Sequence, residues 1–400
     1  MMINRPDYIA AIEPFIDKPL VKILAGIRRC GKSTIFEMLR EELLRRGIGE
    51  DQIVCKRYTE MDIPENITAK QMYDELTAAM AGKGHCCLLL DEIQEIDGWE
   101  KAVNSLLEST DADIYVTGSN SKLMSGEIST YLTGRYVSIP VYTLSFKEYL
   151  AFKQDSPLSR RELLEDYIRF GGFPIVALSE YDEQSAYQIV NGIYHTVVSR
   201  DIVKRHRINK QDLFDRVVKY IIENMGKTFS ANSISTFLKS EHRKVSVESI
   251  YNYLRWLEQA FIIYPCERYD LQGKSILKTQ EKYYLADVSL KYALLGYNRK
   301  MLDGAMENIV YLELKRRGYD VYIGKNDTKE IDFVATRRDE RIYVQVCVRI
   351  PEASDREVGN LMEIRDHYPK YVVTLNEMDI GIENGIRIVH LADFLIAEAW

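Results

Sequence analysis

Short apolar runs alternate with amphipathic stretches along the first 150 residues. The segment "VKILA" (21–25) predicts a buried strand, and "STIFEMLREELLRR" (33–46) after it has apolar residues at helical spacing. Further strands are predicted within "DQIVCKRYTEM" (51–61), "HCCLLLDEIQEI" (85–96) and "ADIYVTGSNSKL" (112–123). Strands that alternate with helices favour an α/β fold built on a parallel sheet.

The pattern changes twice beyond this region. Residues 151–210 are predicted to be mostly helical, and residues 211–280 combine three helices with a strand, the order typical of a winged helix-turn-helix. Residues 281–400 alternate helices and strands again. A chain of 400 residues exceeds the roughly 250–300 residues that one core supports. We therefore expect four segments, 1–150, 151–210, 211–280 and 281–400.

The turn between the first strand and the first helix reads "GIRRCGKST". Its glycines, lysine and serine have the spacing of a phosphate-binding loop (P-loop), in the required context of a strand before and a helix after. Loop amides can surround a phosphate, the lysine neutralises its charge, and the serine hydroxyl ligates Mg²⁺. We predict that ATP and Mg²⁺ bind at Gly26, Ile27, Arg28, Arg29, Cys30, Gly31, Lys32, Ser33 and Thr34.

An acidic pair follows the apolar run that begins at residue 85. Asp91 is predicted to hold Mg²⁺ together with Ser33, and Glu92 to orient and polarise the attacking water. Because such an acid separates a hydrolase from a protein that only binds nucleotide, the pair predicts ATP hydrolysis. The strand predicted between the P-loop strand and the acidic strand favours the AAA+ and RecA-like branch over simple kinases.

Three polar residues are candidates for sensing the terminal phosphate. Ser119 and, as second choice, Asn120 follow a predicted strand, where each could also be an ordinary turn residue. Arg135 could reach a γ-phosphate as an arginine finger, within the chain or from a neighbouring subunit of a homo-oligomer. A surface role for Arg135 is equally open.

These motifs together resemble a prokaryotic family of AAA+/STAND-like ATPases. The resemblance rests on "GIRRCGKST", "LLLDEIQ", "TGSNS", "LTGR" followed by "PVYTLSFKEYL", "FGGFP" and "SRDI", and it extends over nearly the whole chain. It implies an N-terminal ATPase domain, a helical lid or linker, a winged-helix-like middle and a C-terminal domain related to restriction endonucleases. The residue types alone do not explain "FGGFP" and "SRDI". The lid would make Arg169 a second sensor candidate, although a solvated helix residue is the more ordinary interpretation.

A basic segment begins the middle of the chain. It contains Arg200, Lys204, Arg205, Arg207 and Lys210, which we call the basic cluster. The cluster could bind nucleic-acid phosphates, or it could simply face solvent. Residues 199–267 are therefore the candidate surface for a DNA or protein partner, and a packing role for the winged-helix-like part is equally open.

The last segment resembles the restriction-endonuclease core but lacks two of its acid and base groups. Glu307 and Asp332 match a helix acid and a strand acid, whereas Gln345 and Cys347 occupy the E-x-K positions. Mg²⁺ prefers charged oxygen ligands, and a lysine helps to activate water, so we expect no nuclease activity. Glu330 is a candidate substitute for one ligand.

Composition narrows the class of protein further. The chain is 46% hydrophobic and 28% charged, has a net charge of −7, and contains six scattered cysteines without a CxxC pair. These features predict a globular cytoplasmic protein with free thiols, and no apolar run is long enough for a membrane span. An acidic surface restricts nucleic-acid binding to a local patch.

Three hypotheses follow for the function. The first is an ATP-hydrolysing switch or motor that acts on a macromolecular partner. The second is an enzyme in which ATP gates DNA cleavage, which the missing lysine disfavours. The third is a nucleotide-dependent sensor with negligible turnover. A small-molecule kinase fits poorly, because no acceptor pocket is apparent.

Overall fold

The computed structural model describes residues 4–60, 63–64, 66–124, 132, 134–208, 210–243, 245–298, 301–351 and 356–400. They form two compact units. The first contains the chain up to residue 141 together with residues 259–261, and the second contains residues 142–258 and 262–400.

The first unit is a five-stranded parallel sheet with helices. Its strands lie in the order β2-β3-β4-β1-β5. Their bounds are β1 Val21–Ala25, β2 Ile53–Arg57, β3 Cys86–Asp91, β4 Ala112–Gly118 and β5 Tyr136–Pro140. The helices are α1 Pro6–Ile12, α2 Lys32–Arg45, α3 Ala69–Met80 and α4 Trp99–Ser109. The structure confirms the predicted α/β class and parallel sheet.

Two fully buried strands position the site of the first unit. Every residue of β1 and β3 is buried, as expected for a parallel sheet covered on both faces. In α2, Ile35, Leu39 and Leu43 are completely buried, which fixes this helix against the sheet. Because all five strands are parallel, the loops that follow β1, β3 and β4 leave the same edge of the sheet.

The second unit contains an eight-stranded mixed sheet in the order β12-β13-β11-β10-β9-β8-β6-β7. The strands are β6 Ile263–Asp270, β7 Ser275–Leu285, β8 Asp320–Asn326, β9 Lys329–Arg337, β10 Glu340–Val346, β11 Lys370–Thr374, β12 Gly381–Glu383 and β13 Ile386–His390. The helices are α5 Phe146–Phe152, α6 Arg160–Phe170, α7 Pro174–Ala177, α8 Glu183–Val197, α9 Lys204–His206, α10 Gln211–Glu223, α11 Ala231–Ser240, α12 Val247–Gln259, α13 Ser289–Leu295, α14 Leu302–Arg316, α15 Arg356–Met362 and α16 Leu391–Ile396. A π-helix, Val198–Val203, joins α8 to α9.

The strand β7 bears on the expected division of the chain. The boundary placed at residue 280 falls inside β7, which pairs with β6 in the same sheet as the C-terminal strands. Residue 280 thus lies within a continuous strand and not in a linker between elements. The division of the second unit into lid, winged helix and C-terminal domain stays a prediction.

The "FGGFP" motif has a structural explanation. A Cβ on Gly171, whose φ is +73°, would lie 1.8 Å from Asp287 Oδ1, so no side chain fits there. The next residue, Gly172, donates its N–H to Asp287 Oδ2 at 2.8 Å and accepts at its carbonyl from Leu144 N at 2.7 Å. The two glycines of the motif therefore pack closely around the buried Asp287 carboxylate.

Among the described residues, no helix combines the length and apolar character that crossing a bilayer requires.

Candidate nucleotide site

The loop from residue 26 to residue 31 turns the chain from β1 into α2. Arg29 (φ +67°) and Gly31 (φ +103°) adopt left-handed backbone conformations, which reverse the chain direction within a few residues. Gly31 is the N-cap of α2 and has no side chain to cap it. The first-turn amides of the helix therefore remain donors for an anion, at the end where the helix dipole is positive.

Gly26 is required by close packing. A Cβ at this position would lie 1.9 Å from the carbonyl oxygen of Val141. The Gly26 N–H donates to Gly118 O at 3.3 Å, which ties the start of the loop to the end of β4. A side chain here would push the loop away from the strands that position it.

The ammonium group of Lys32 lies inside the loop. Its Nζ donates to Gly26 O at 2.9 Å and to Ile27 O at 3.2 Å, and it lies 3.8 Å from Glu92 Oε1. The residue is 4% exposed, so its positive charge is held within the loop. This is the charge that the phosphate groups of a nucleotide would meet.

Ser33 and Asp91 form the candidate magnesium site. Ser33 Oγ donates to Asp91 Oδ2 at 2.7 Å, and Thr117 Oγ1 donates to Asp91 Oδ1. Arg57 Nε donates to the same Oδ2 as Ser33, at 3.0 Å. A hydroxyl and a carboxylate beside an anion-binding loop are oxygen donors that suit Mg²⁺, so these residues fit the ion.

Glu92 lies beside Asp91 with its backbone in the left-handed region (φ +56°, ψ +44°). Its N–H donates to Thr117 Oγ1 at 3.0 Å, and its Oε2 accepts from Gln94 Nε2 and, at 3.4 Å, from Ser119 Oγ. Burial alone would raise the pKa of this carboxyl group. Lys32, Arg28 and these hydrogen bonds outweigh burial and hold the pKa below its ordinary value, so Glu92 is ionised at neutral pH.

The remaining loop and sensor candidates are distributed around Glu92. Arg28 lies 3.3 Å from Glu95 Oε1 and 3.9 Å from Glu92 Oε2, so the loop arginine lies against acids. Ser119 is fully buried and contacts Glu92, whereas Asn120 is buried and accepts at its carbonyl from Leu123 N. The other arginine of the loop, Arg29, is exposed.

Arg135 is not brought to this site. It precedes β5, and its carbonyl accepts from the N–H of Val21, the first residue of β1, at 2.9 Å. It therefore lies at the opposite edge of the sheet from the loop, about 16 Å away at ~3.3 Å per strand residue. Its guanidinium pairs with Glu108 at 2.7 Å. This placement does not support an arginine finger within the same chain, and a role in a neighbouring subunit stays a prediction.

Two residues of the site were missed in the sequence. Arg57 is the last residue of β2 and is in register with Asp91, but this pairing requires knowledge of the strand order. Gln94 contacts both Glu92 and Ser119, at 3.3 Å from Ser119 Oγ. The only sequence signal for Gln94 was its position two residues after the predicted base.

The second unit contains a separate, buried charge cluster. Lys282 Nζ of β7 lies 3.3 Å from Glu307 Oε2, 2.9 Å from Glu330 Oε1 and 4.0 Å from Asp332 Oδ1. We call these four residues the Lys282 cluster. The sequence predicted no lysine here, because Lys282 comes from a strand that precedes the E-x-K positions. Within the described part of the chain, no group of three or more His, Cys, Asp or Glu residues is placed to hold a metal ion.

The E-x-K positions have structural roles. Gln345 Oε1 accepts from Asp332 N at 3.2 Å, and Cys347 packs into the hydrophobic core. Burial raises the pKa of Asp332 and of Glu307. Burial would lower the pKa of Lys282, but the surrounding carboxylates outweigh it and raise that pKa. Lys282 is therefore the cation that compensates these carboxylates.

The basic cluster is exposed at every position. None of its side chains forms an ion pair with a carboxylate of the described residues. Nearby arginines behave differently, since Arg216 pairs with Glu241 at 2.8 Å and Arg243 pairs with Asp212. The cluster thus presents uncompensated positive charge.

The sheet order, the loop after β1 and the acidic pair at the end of β3 define a P-loop domain of the AAA type. Residues 18–150 match the family described as "AAA domain", and residues 161–300 match the family described as "Domain of unknown function (DUF8612)".

Two relatives define the family of the chain more narrowly. It is 36% identical over 400 residues to an uncharacterized protein of Haemophilus influenzae, with 99% of each chain covered. It is 32% identical over 354 residues to an uncharacterized protein of Methanocaldococcus jannaschii, covering 84% of this chain and 77% of the relative. The chain belongs to this family of prokaryotic AAA-type P-loop proteins, which confirms the resemblance seen in the sequence.

A solved structure shares the fold. The Walker-type ATPase PABY2304 of Pyrococcus abyssi superposes with a TM-score of 0.50 at 14% identity, covering 73% of this chain and 95% of that chain. At this level of identity the likeness concerns the fold alone.

Proposed function

We propose that the protein binds ATP with Mg²⁺ at the loop of residues 26–34 and hydrolyses it. The observation that carries this proposal is the convergence of four side chains at one edge of the parallel sheet. Lys32 lies within the loop, Ser33 contacts Asp91, and Glu92 lies 3.8 Å from the Lys32 ammonium. Each comes from the position that its role in a P-loop ATPase requires.

Each group has a separate task. The first-turn amides of α2 and the Lys32 ammonium bind the phosphates, and Ser33 and Asp91 hold the metal. Mg²⁺, when bound, neutralises phosphate charge that would otherwise oppose the reaction. Glu92 is ionised and can accept a proton from water, while Gln94 and Ser119 fix the orientation of its carboxylate.

We further propose that the nucleotide state is communicated to DNA at residues 199–267, of which 209 and 244 lie outside the described residues. The uncompensated charge of the basic cluster supports a polyanionic partner. An aromatic pair adjoins it, since the His206 ring stacks on Trp256 at 4.3 Å between ring centroids. Because the chain carries a net charge of −7, DNA binding would be confined to a local basic surface such as this one.

The alternative in which ATP gates DNA cleavage is less well supported. In the Lys282 cluster an ammonium group already contacts the carboxylates that a metal would need. We therefore propose that this cluster has a structural role in the second unit. Mn²⁺-dependent nicking of DNA that Asp332→Ala abolishes would contradict this proposal.

The test of the ATPase proposal combines nucleotide binding with turnover. Labelled ATP should bind saturably to the parent chain, should not bind to Lys32→Ala, and should bind normally to Glu92→Gln. Hydrolysis should fall by about 10²–10⁴-fold in Glu92→Gln, because a general base contributes about that much. Tight binding with background phosphate release by the parent would favour the sensor hypothesis instead.

The DNA proposal is tested by the ATPase rate with duplex DNA over a range of salt. Stimulation that fades with ionic strength, and that is lost in the charge reversal Lys204→Glu/Arg205→Glu, would support it. The matched control is Lys70→Glu, which reverses an exposed lysine of the first unit that pairs with Asp74. Equal stimulation of all three proteins would contradict the role of the basic cluster.

A further inference from the structure

Arg57 lies at the entrance to the candidate magnesium site. It ends β2 and pairs in register with Asp91, the last residue of β3. Its Nε donates to Asp91 Oδ2 at 3.0 Å, and its Nη1 lies 3.6 Å from Glu60 Oε1. The side chain is 44% exposed, so the guanidinium reaches Asp91 from the solvent side.

The Asp91 carboxylate has to exchange one of its partners when metal binds. It accepts from Ser33, Thr117 and Arg57, and the arginine and the serine share Oδ2. Thr117 uses the other oxygen and is buried, so it can remain. A guanidinium and Mg²⁺ repel each other at one oxygen, so Arg57 must leave Asp91 for the metal to be held.

A planar guanidinium that leaves a carboxylate needs another anion of matching geometry. Phosphate oxygens accept such a fork in a bidentate manner. Two other arginines of the first unit are placed differently. Arg28 already lies against Glu92 and Glu95, and Arg135 lies at the far edge of the sheet.

We propose that Arg57 is the residue by which this site distinguishes ATP from ADP. Its guanidinium neutralises Asp91 in the nucleotide-free chain and transfers to the terminal phosphate when ATP and Mg²⁺ bind. ADP lacks that phosphate, so with ADP Arg57 continues to compete for Asp91 and weakens retention of the product. The inference rests on the proposed ATP site and adds a specificity-determining residue to it.

The decisive measurement is the ratio of the dissociation constants of ADP and ATP at saturating Mg²⁺. Arg57→Ala should weaken ATP binding by about tenfold or more, the value of a charge-assisted hydrogen bond, and should leave ADP binding equal or tighter. Arg57→Lys keeps the charge but not the fork and should lie between parent and alanine variant. Arg40→Ala, which removes a surface arginine paired with Glu50, should leave the ratio unchanged.

A second measurement tests the competition for Asp91 without nucleotide. Titration with Mn²⁺, followed by electron paramagnetic resonance, should show tighter Mn²⁺ binding to Arg57→Ala than to the parent, because the competing charge is gone. Thermal melting establishes that each variant is folded, and Arg57→Lys provides the comparison if the alanine variant is not.

The outcomes separate this inference from the proposed function. Equal losses of ATP and ADP affinity in Arg57→Ala would overturn it, since Arg57 would then only support Asp91. Unchanged Mn²⁺ affinity would also overturn it. Failure of the parent itself to bind either nucleotide would instead defeat the ATP site as a whole.

Discussion

Ser33 and Asp91 are 58 residues apart in the chain, and the serine hydroxyl donates to the Asp91 carboxylate at 2.7 Å. Ser33 lies in the first turn of α2, and Asp91 is the last residue of the buried strand β3 in the same parallel sheet. The contact links the phosphate-binding loop directly to the acidic pair. The proposed chemistry requires that neighbouring residues hold Ser33 and Asp91 in this arrangement.

Thr117 should be essential for hydrolysis although it need not touch the nucleotide. Its hydroxyl donates to Asp91 and accepts from the Glu92 N–H at 3.0 Å, so one side chain aligns both acids. Thr117→Val keeps the shape and removes the hydroxyl. We expect kcat to fall by about 10²-fold, while the Kd for ATP changes little. Thr77→Val, which removes an exposed helix hydroxyl, is the control, and a parental kcat in Thr117→Val would contradict the prediction.

The pH dependence of hydrolysis should report the charges around Glu92. A base acts only when it is ionised, and the pKa of this carboxyl group is held below its ordinary value. The acid limb of the kcat profile should therefore lie below ~4.3, the ordinary value for glutamate, as far as the fold survives. Arg28→Ala removes one of the charges that lower the pKa, so the limb should move to higher pH. An acid limb at the same pH in both proteins would rule out Arg28 as a cause.

Gly26→Ala should damage both stability and nucleotide binding. The new Cβ would lie 1.9 Å from a backbone carbonyl, which cannot move aside as a flexible side chain can. We expect a loss of about 1–3 kcal/mol in the free energy of unfolding, measured by urea denaturation, together with weaker ATP binding. Gly192→Ala is the matched control, because that helical position has open space and should gain about 0.5–1 kcal/mol.

Lys282→Met should destabilise the second unit strongly. It removes the cation from the Lys282 cluster, and breaking a buried ion pair costs about 3–5 kcal/mol. The pKa values of Glu307 and Asp332 are already raised by burial and would rise further. A raised pKa in the folded state gives stability that is present at low pH and lost as pH increases.

The loss of thermal stability caused by Lys282→Met should therefore be smaller at pH 5 than at pH 8. The control is Lys329→Met, because Lys329 pairs with Glu363 at the surface and should contribute at most about 1 kcal/mol. Similar melting of both variants at pH 8 would show that the cluster does not require its ammonium group.

The residues predicted correctly to lie together are those defined by local sequence. Lys32 and Ser33 follow a strand and begin a helix, and Asp91 and Glu92 end a strand, so hydrophobic patterning was enough to place them. The parallel sheet then brought them to one edge. Because β1 and β3 are buried on both faces, each appears in the sequence as a mainly apolar run.

The contacts that the sequence did not predict depend on the order of the strands in the sheets. Arg57 reaches Asp91 only because β2 is the neighbour of β3, and Lys282 reaches its carboxylates only because β7 joins the C-terminal sheet. Arg135 follows a glycine in the "LTGR" motif, yet it precedes β5 and so lies at the opposite edge of the sheet from the phosphate-binding loop. Patterns along a chain predict elements, whereas these contacts join elements that are far apart in sequence.

The left-handed backbone of Glu92 sets stability against the proposed chemistry of this residue. A non-glycine residue in this conformation carries about 1 kcal/mol of strain, which glycine at the same place would relieve. Selection for thermal stability alone would therefore favour glycine in place of Glu92. Under the proposed function, the carboxylate that accepts a proton from water therefore lies at a position where it lowers the stability of the fold.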